Sequence, residues 1–201
     1  MIPEKSSYPR LAIVMVMTVL LGTMLAYHAW NRSKPNERGV IKWDVISYYS
    51  YLPATFIYGD VTLGFLDDPA FNNDNKFWPY HLENGNRLIQ TSMGLSILYS
   101  PFFFTAHALA PLFGQPQDGF SHIYQFFLVF GTLIYVLIGL LFLRKILLRY
   151  FSPVASAISL LVIPLGTNLF YYAVHEAAMP HAYNFALITL FLYLVIRWYD
   201  Q

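Results

Sequence analysis

Two carboxylates stand out in this chain by what surrounds them. Asp44 opens the stretch WDVISYYSYLPATFIYGD, residues 43 to 60, just beyond the first strongly apolar segment. On a 3.6-residue helix Asp44, Ser47, Tyr48, Tyr51 and Thr55 share one face, and Val45, Ile46, Tyr49, Leu52 and Phe56 the other. An amphipathic helix of this kind presses its apolar side into the headgroup region and turns Asp44 toward water. Asp44 reads equally as a helix-start residue beside the positive end of the helix dipole. Glu176 is the only acidic residue between Asp118 and Asp200, and it sits among His175, Met179, Pro180 and His181. Charges beside apolar segments face cavities or reach water. Oxygen ligands from Asp44 and Glu176 suit a divalent cation, with no particular metal indicated. His175 and His181, six residues apart across Pro180, do not share a helical face, which speaks against zinc. The chain has no cysteine, so disulfides, thiolate metal sites and cysteine nucleophiles are excluded.

The elements that must hold these residues are membrane helices. With 57% hydrophobic, 18% aromatic and 11% charged residues and a mean hydropathy of +0.46, the composition is that of a membrane protein. The net charge of +1 comes with no basic run, so nucleic acid is not an expected partner. A spanning helix needs roughly 20 mostly apolar residues. Span 1 is expected over 11–30, as an uncleaved signal anchor preceded by Lys5 and Arg10. Span 2 is expected over 120–143, closed by Arg144, Lys145 and Arg149, and span 3 over 152–174 with Pro164 and Gly166 inside it. Span 4 is expected over 182–196, ending at Arg197, Trp198 and Tyr199.

The apolar stretch 91–113 contains Gly94, Pro101, His107 and Pro111. Were it a fifth span, the Arg144, Lys145 and Arg149 cluster would share a side with the long 31–90 segment, against the positive-inside rule. An interfacial or re-entrant helix removes the conflict. The expected fold is therefore all-α: a single polytopic membrane domain over 1–201 with four spans. Residues 31–119 form a large external loop with juxtamembrane helices at about 43–58 and 91–113, Pro53 dividing or kinking the first. Residues 67–86, rich in Asn, Asp, Pro and Gly, read as irregular connection.

The order of Asp44, Tyr48, Gly59 and Asp60 after a first membrane helix resembles the first-loop motif of GT-C glycosyltransferases. These polyprenyl-phosphate-sugar-dependent enzymes include protein O-mannosyltransferases and lipid A aminoarabinose transferases. NRLIQTSMGLSILYSPFF, residues 86 to 103, is similar to the family's basic residue followed by a Pro- or Gly-containing juxtamembrane helix. YYAVHEAAMPHAYNFALI, residues 171 to 188, is similar to its second external loop, with Glu176 at the acidic position. The family's usual Asp-Glu pair is reduced here to Asp44-Val45, and its Lys-Pro-Pro is missing.

The resemblance implies a transferase moving a sugar from a polyprenyl-phosphate-linked donor to an acceptor on the external face. Asp44 would be the base that takes the acceptor proton. Arg87, or failing it Lys76, would stabilise charge on the leaving phosphate. Glu176 would be a second catalytic carboxylate, and Tyr48, His175 and His181 would contact substrate. It also implies a bacterial inner (plasma) membrane location and membrane lipid as partner, while Lys5 and Arg10 place the N-terminus on the cytoplasmic side. Family members are much longer, so a partial chain, or a need for further spans or a subunit, is expected. The competing classes are a non-catalytic membrane assembly or scaffold protein and a transporter subunit. A transporter would need polar residues deep in its spans, where this chain offers little beyond Thr18, Thr132, Ser156 and Ser159.

Overall fold

The computed structural model describes residues 7–28, 30, 39–67 and 79–201. Helix accounts for 73% and strand for 2% of it. The order is α1 (Tyr8–Tyr27), α2 (Trp43–Tyr49), α3 (Tyr51–Phe56), β1 (Tyr80–His81), β2 (Arg87–Leu88), α4 (Gly94–Leu109), α5 (His122–Tyr150), α6 (Pro153–Gly166), α7 (Asn168–Val174) and α8 (Pro180–Tyr199). Among the described residues four helices are long and apolar enough to cross a membrane: α1, α4 with its 3-10 extension to Phe113, α5 and α8. These are not the four stretches expected from sequence, because 91–113 qualifies and 152–174 does not form one straight helix. Instead α6 and α7 meet at a bend of 62°. The Thr167 hydroxyl accepts from the Leu169 N–H at 3.2 Å and starts α7 afresh, just after Pro164 has weakened the end of α6.

The chain divides into two compact units, one of Met1–His28 with Thr132–Gln201 and the other of Ala29–Gly131. Helix α5 contributes to both. In the first unit α1 packs along α6, and α7 touches α1 and α8. Val16, Leu20, Leu140, Leu160 and Ala173 are completely buried there. A Cβ on Gly139 of α5 would meet the Phe185 ring of α8 at 2.5 Å, so the two backbones approach closely, as small residues permit between membrane helices.

The ends of this unit are well defined. At one, Arg10 and Arg144 feel each other's charge and Arg149 pairs with Asp200. At the other, the Tyr27 ring lies 4.3 Å from that of His175, and the Ala178 N–H donates to Thr132 Oγ1 at 2.9 Å. Consequently α1 and the Thr132–Tyr150 part of α5 run antiparallel. Helices α6 and α7 together run from the Arg149 end to the His175 end, and α8 returns. Large apolar side chains face outward along these helices, Val14 (59% exposed) and Phe191 (64%) among them, which suits lipid and not water.

In the second unit the juxtamembrane helix expected over 43–58 is two helices. The break is at Ser50 and not at Pro53. Proline has no N–H to offer the Tyr49 carbonyl four residues back, so the regular helix fails one turn upstream of the ring. At the break the Ser50 hydroxyl and the Ser50 N–H both donate to the Ile46 carbonyl. Helix α4 packs against α2 and α3 through Leu95, Ser96, Tyr99, Phe103 and Ala106. Its Pro101 leaves the Ile97 carbonyl open, and the Ser100 hydroxyl takes it at 2.8 Å. Of the stretch 67–86 read as irregular connection, 68–78 lies outside the described residues; its later part holds the first strand of a small hairpin whose second strand follows it, Tyr80 pairing with Leu88 and His81 with Arg87.

Candidate functional site

Helix α2 presents Asp44 because its opposite face is fixed. Val45, Ile46 and Tyr49 are buried. The Tyr49 ring sits about equally far from Tyr99, Phe103 and Phe120, at 6.3, 5.9 and 6.0 Å, and its hydroxyl donates to the Gly119 carbonyl at 2.5 Å. Burial pushes the Tyr49 phenol well above its ordinary value, with the neighbouring Tyr124 adding to the effect. One position back, the Tyr48 carbonyl accepts from the Ser96 hydroxyl. On the open side Asp44 is exposed in the first turn of the helix. The cap position belongs to Lys42, and no side chain closes the helix there. Asp44 therefore does not act as a cap. Its carboxylate has neither a hydrogen bond nor an ion pair among the described residues, and the half-buried Tyr48 follows one turn later on the same side.

Asp60 is the opposite case. Its Oδ1 accepts from the Thr62 hydroxyl at 2.5 Å and the Thr62 N–H at 2.9 Å. Those bonds, the hydroxyl first, with backbone N–H groups of Gly64 and Phe65 assisting, hold its carboxyl below the ordinary aspartate value. Gly59 supplies the left-handed backbone, φ +61°, that the turn requires. The Gly59-Asp60 pair is a turn whose carboxylate is used up locally.

Arg87 is similarly committed. Its Nη2 lies 2.6 and 2.7 Å from the two Asp67 oxygens, and its Nη1 donates to the Leu63 carbonyl at 2.8 Å. The arrangement ties the 60–67 turn to β2. Lys76 lies outside the described residues.

Glu176 belongs to the first unit, in the short connection between α7 and α8. It is half-exposed and has no ion pair among the described residues. Its neighbours are held by aromatic packing. The His175 ring stands edge-on to Tyr27 at 4.3 Å and stacks with Tyr171 at 5.4 Å, whereas His181 lies flat on Tyr172 at 3.6 Å. The two histidines thus pack on different tyrosines. Among the described residues no three of His, Asp and Glu are gathered as ligands for a metal ion. Asp44 and Glu176 fall in different units.

Sequence reasoning missed the groups that hold these segments. Asp118 Oδ1 accepts from the N–H groups of Phe120 and Ser121 at 2.7 and 2.8 Å and opens α5. An aspartate just ahead of an apolar periodic run is a readable start signal. The buried Thr132 hydroxyl, with Tyr183 OH 3.3 Å away, fixes Ala178 at φ +72°. No local pattern marks that partnership. Comparison with known proteins finds no matching family model, no matching curated protein and no matching solved structure.

Proposed function

We propose that this chain belongs to a membrane glycosyltransferase of the GT-C type, which transfers a sugar from a polyprenyl-phosphate-linked donor to an acceptor on the external face of a bacterial plasma membrane. The observation that carries the reading is the state of Asp44: an exposed carboxylate, with no hydrogen bond or ion pair among the described residues, on a short helix whose other face is locked in place. A general base must come within hydrogen-bond reach of the proton it takes, and a carboxylate spent on capping or an ion pair would not be free to do so. Tyr48, one turn on, is placed to contact the same substrate.

The antiparallel run of α1 and α5 supports the topology that the reading needs. Tyr27 and Thr132 lie at one end of the first unit, so the chain between them crosses the bilayer an even number of times or not at all. Within it only α4 passes the length and hydropathy test among the described residues. The other described segments there are too short to satisfy their backbone groups inside lipid. The reading takes helix α4 as interfacial or re-entrant, with α1, α5, the bent pair α6 and α7, and α8 as the crossings. Arg10, Arg144 and Arg149 then share the cytoplasmic side, and Asp44 stands with the external segment.

The test is transfer by the full-length protein from a polyprenyl-phosphate sugar pool. Asp44→Asn keeps the shape and polarity of the side chain but not its proton acceptance, and lowers transfer by roughly two to four orders of magnitude. Unchanged transfer by a stably inserted Asp44→Asn protein removes Asp44 from the mechanism.

A further inference from the structure

The start of α5 lines a cavity inside the second unit, about 450 Å³ in volume and so within the range of small-molecule sites. Its apolar walls are mostly aromatic. Trp30 and Phe126 stand edge to face with ring centroids 5.2 Å apart, and Phe126 meets Phe127 in the same manner at 5.4 Å. Leu109 and the exposed Phe113 continue the apolar lining. Gln115 and His122 are its two polar side chains, and neither has a hydrogen bond among the described residues. An amide and an imidazole each offer an N–H. No Lys, Arg, Asp or Glu lines the cavity, so an ionised ligand group would find no residue of fixed opposite charge. The lining suits a neutral, largely apolar ligand that carries hydrogen-bond acceptors on one side.

The place of the cavity along the chain identifies that ligand. From Ile123 to Leu143 α5 carries no charged residue, and Arg144 follows. Such a run is the roughly 20 residues that one crossing takes. His122 therefore marks the level at which α5 leaves the hydrocarbon, and tryptophan, here Trp30, is a side chain enriched at that level. A bilayer offers there the ester carbonyls of its lipids, next to the first methylenes of their acyl chains.

We propose that the cavity binds one diacyl glycerolipid, whose ester carbonyls accept from Gln115 and His122 and whose acyl chain lies against Trp30, Phe126 and Phe127. Both polar side chains then gain the partners they lack, and the aromatic walls are covered by hydrocarbon. A single-chain lipid phosphate would instead bring its charge to a lining without lysine or arginine. The site is independent of sugar transfer and stands or falls without it.

Native mass spectrometry of the full chain in mild detergent tests the proposal, with ester-linked and ether-linked phosphatidylcholine of the same chain length supplied in equal amounts. The ether lipid lacks the two carbonyls. One lipid is retained per chain, and the ester form is favoured about tenfold, the worth of two ordinary hydrogen bonds. Gln115→Ala and His122→Ala each lower that preference to about threefold, and the double variant abolishes it. His122 is exposed, so its variant keeps the fold and reports the preference even if the Gln115 variant is unstable. Phe113→Asp lowers retention of both lipids about tenfold, because it sets a charge in the apolar lining. Leu112→Asp, at a neighbour that is 78% exposed and outside the lining, leaves retention unchanged. Retention of neither lipid, or of both equally, by the native chain overturns the proposal, as does an unchanged preference in His122→Ala. Equal losses in Phe113→Asp and Leu112→Asp overturn it in favour of lipid loosely surrounding the unit. Replacement of the glycerolipid by an equal amount of polyprenyl phosphate overturns it in favour of a carrier-lipid site.

Discussion

The hydroxyl of Tyr49 donates to the carbonyl of Gly119 at 2.5 Å, joining α2 to the turn that leads into α5 across a separation of 70 residues. Tyr49 is completely buried, so removing the hydroxyl leaves the Gly119 carbonyl without that donor. Tyr49→Phe is expected to cost about 1–3 kcal/mol, seen as a lower unfolding midpoint in detergent. It also has a signature in pH. The folded phenol is pushed above its ordinary value of 10.0, so its contribution is fully present below pH 10 and is lost as the unfolded chain ionises above it. Native protein should lose stability there by about 1.4 kcal/mol per pH unit for this proton. Equal alkaline slopes for native and Tyr49→Phe proteins would deny the buried phenol that role.

Asp60 gives the opposite sign. Its folded carboxyl is held below 3.8, so the stabilisation is present above that pH and disappears as the pH falls through the folded value. Asp60→Asn should flatten the acid limb of the unfolding profile and weaken the 60–67 turn, yet leave sugar transfer nearly intact, because its carboxylate is engaged by Thr62. A transfer loss as large as that of Asp44→Asn would place Asp60 in the chemistry.

What could be read from sequence, and what could not, follows from the range of the forces involved. Crossing helices announce themselves through uninterrupted apolar length, and α1, α5 and α8 lie on stretches marked out that way. The bend between α6 and α7 escaped because Pro164 and Gly166 are tolerated in membrane helices, whereas the Thr167 hydroxyl that restarts the chain gives only a weak local signal. Asp44 on an open helix face followed from the 3.6-residue period. Its not being a cap did not, since that depends on where Lys42 leaves the extended conformation. Arg87 looked free because Asp67 lies 20 residues away, in a stretch that reads as irregular.

Helix α4 supplies a decisive topology test. The native chain has no cysteine, so single cysteines report cleanly. Ser92→Cys and Gly114→Cys flank α4 and its extension, and both should react with an impermeant reagent from outside. Leu147→Cys should be protected, and Glu176→Cys should react. Labelling of only one flank of α4 would make it a crossing helix and remove the even-crossing argument.

The approach of α5 to α8 predicts a stability loss at one glycine. Any side chain on Gly139 meets the Phe185 ring, with the first carbon already at 2.5 Å. Gly139→Leu should destabilise the unit by about 1–3 kcal/mol through forced repacking. A Cβ on Gly22 of α1 would meet nothing within 4 Å, so Gly22→Leu is the matched control and should be close to neutral. Equal midpoints for the two variants would show that α5 and α8 are not closely packed.

The connection that carries Glu176 depends on Thr132. Ala178 adopts φ +72°, a conformation that costs an alanine roughly 1–2 kcal/mol and persists only when its surroundings impose it. The imposed contact is its N–H on the Thr132 hydroxyl at 2.9 Å, with Tyr183 OH beside it. Thr132→Val keeps the volume and removes the acceptor, which should cost about 1–3 kcal/mol and raise hydrogen exchange at the Ala178 amide. Thr132→Ser restores the acceptor and should restore the protection. Ala178→Gly relieves the strained backbone and should raise stability slightly in the native background. Native-like protection of the Ala178 amide in the valine variant would show that Thr132 does not hold this turn.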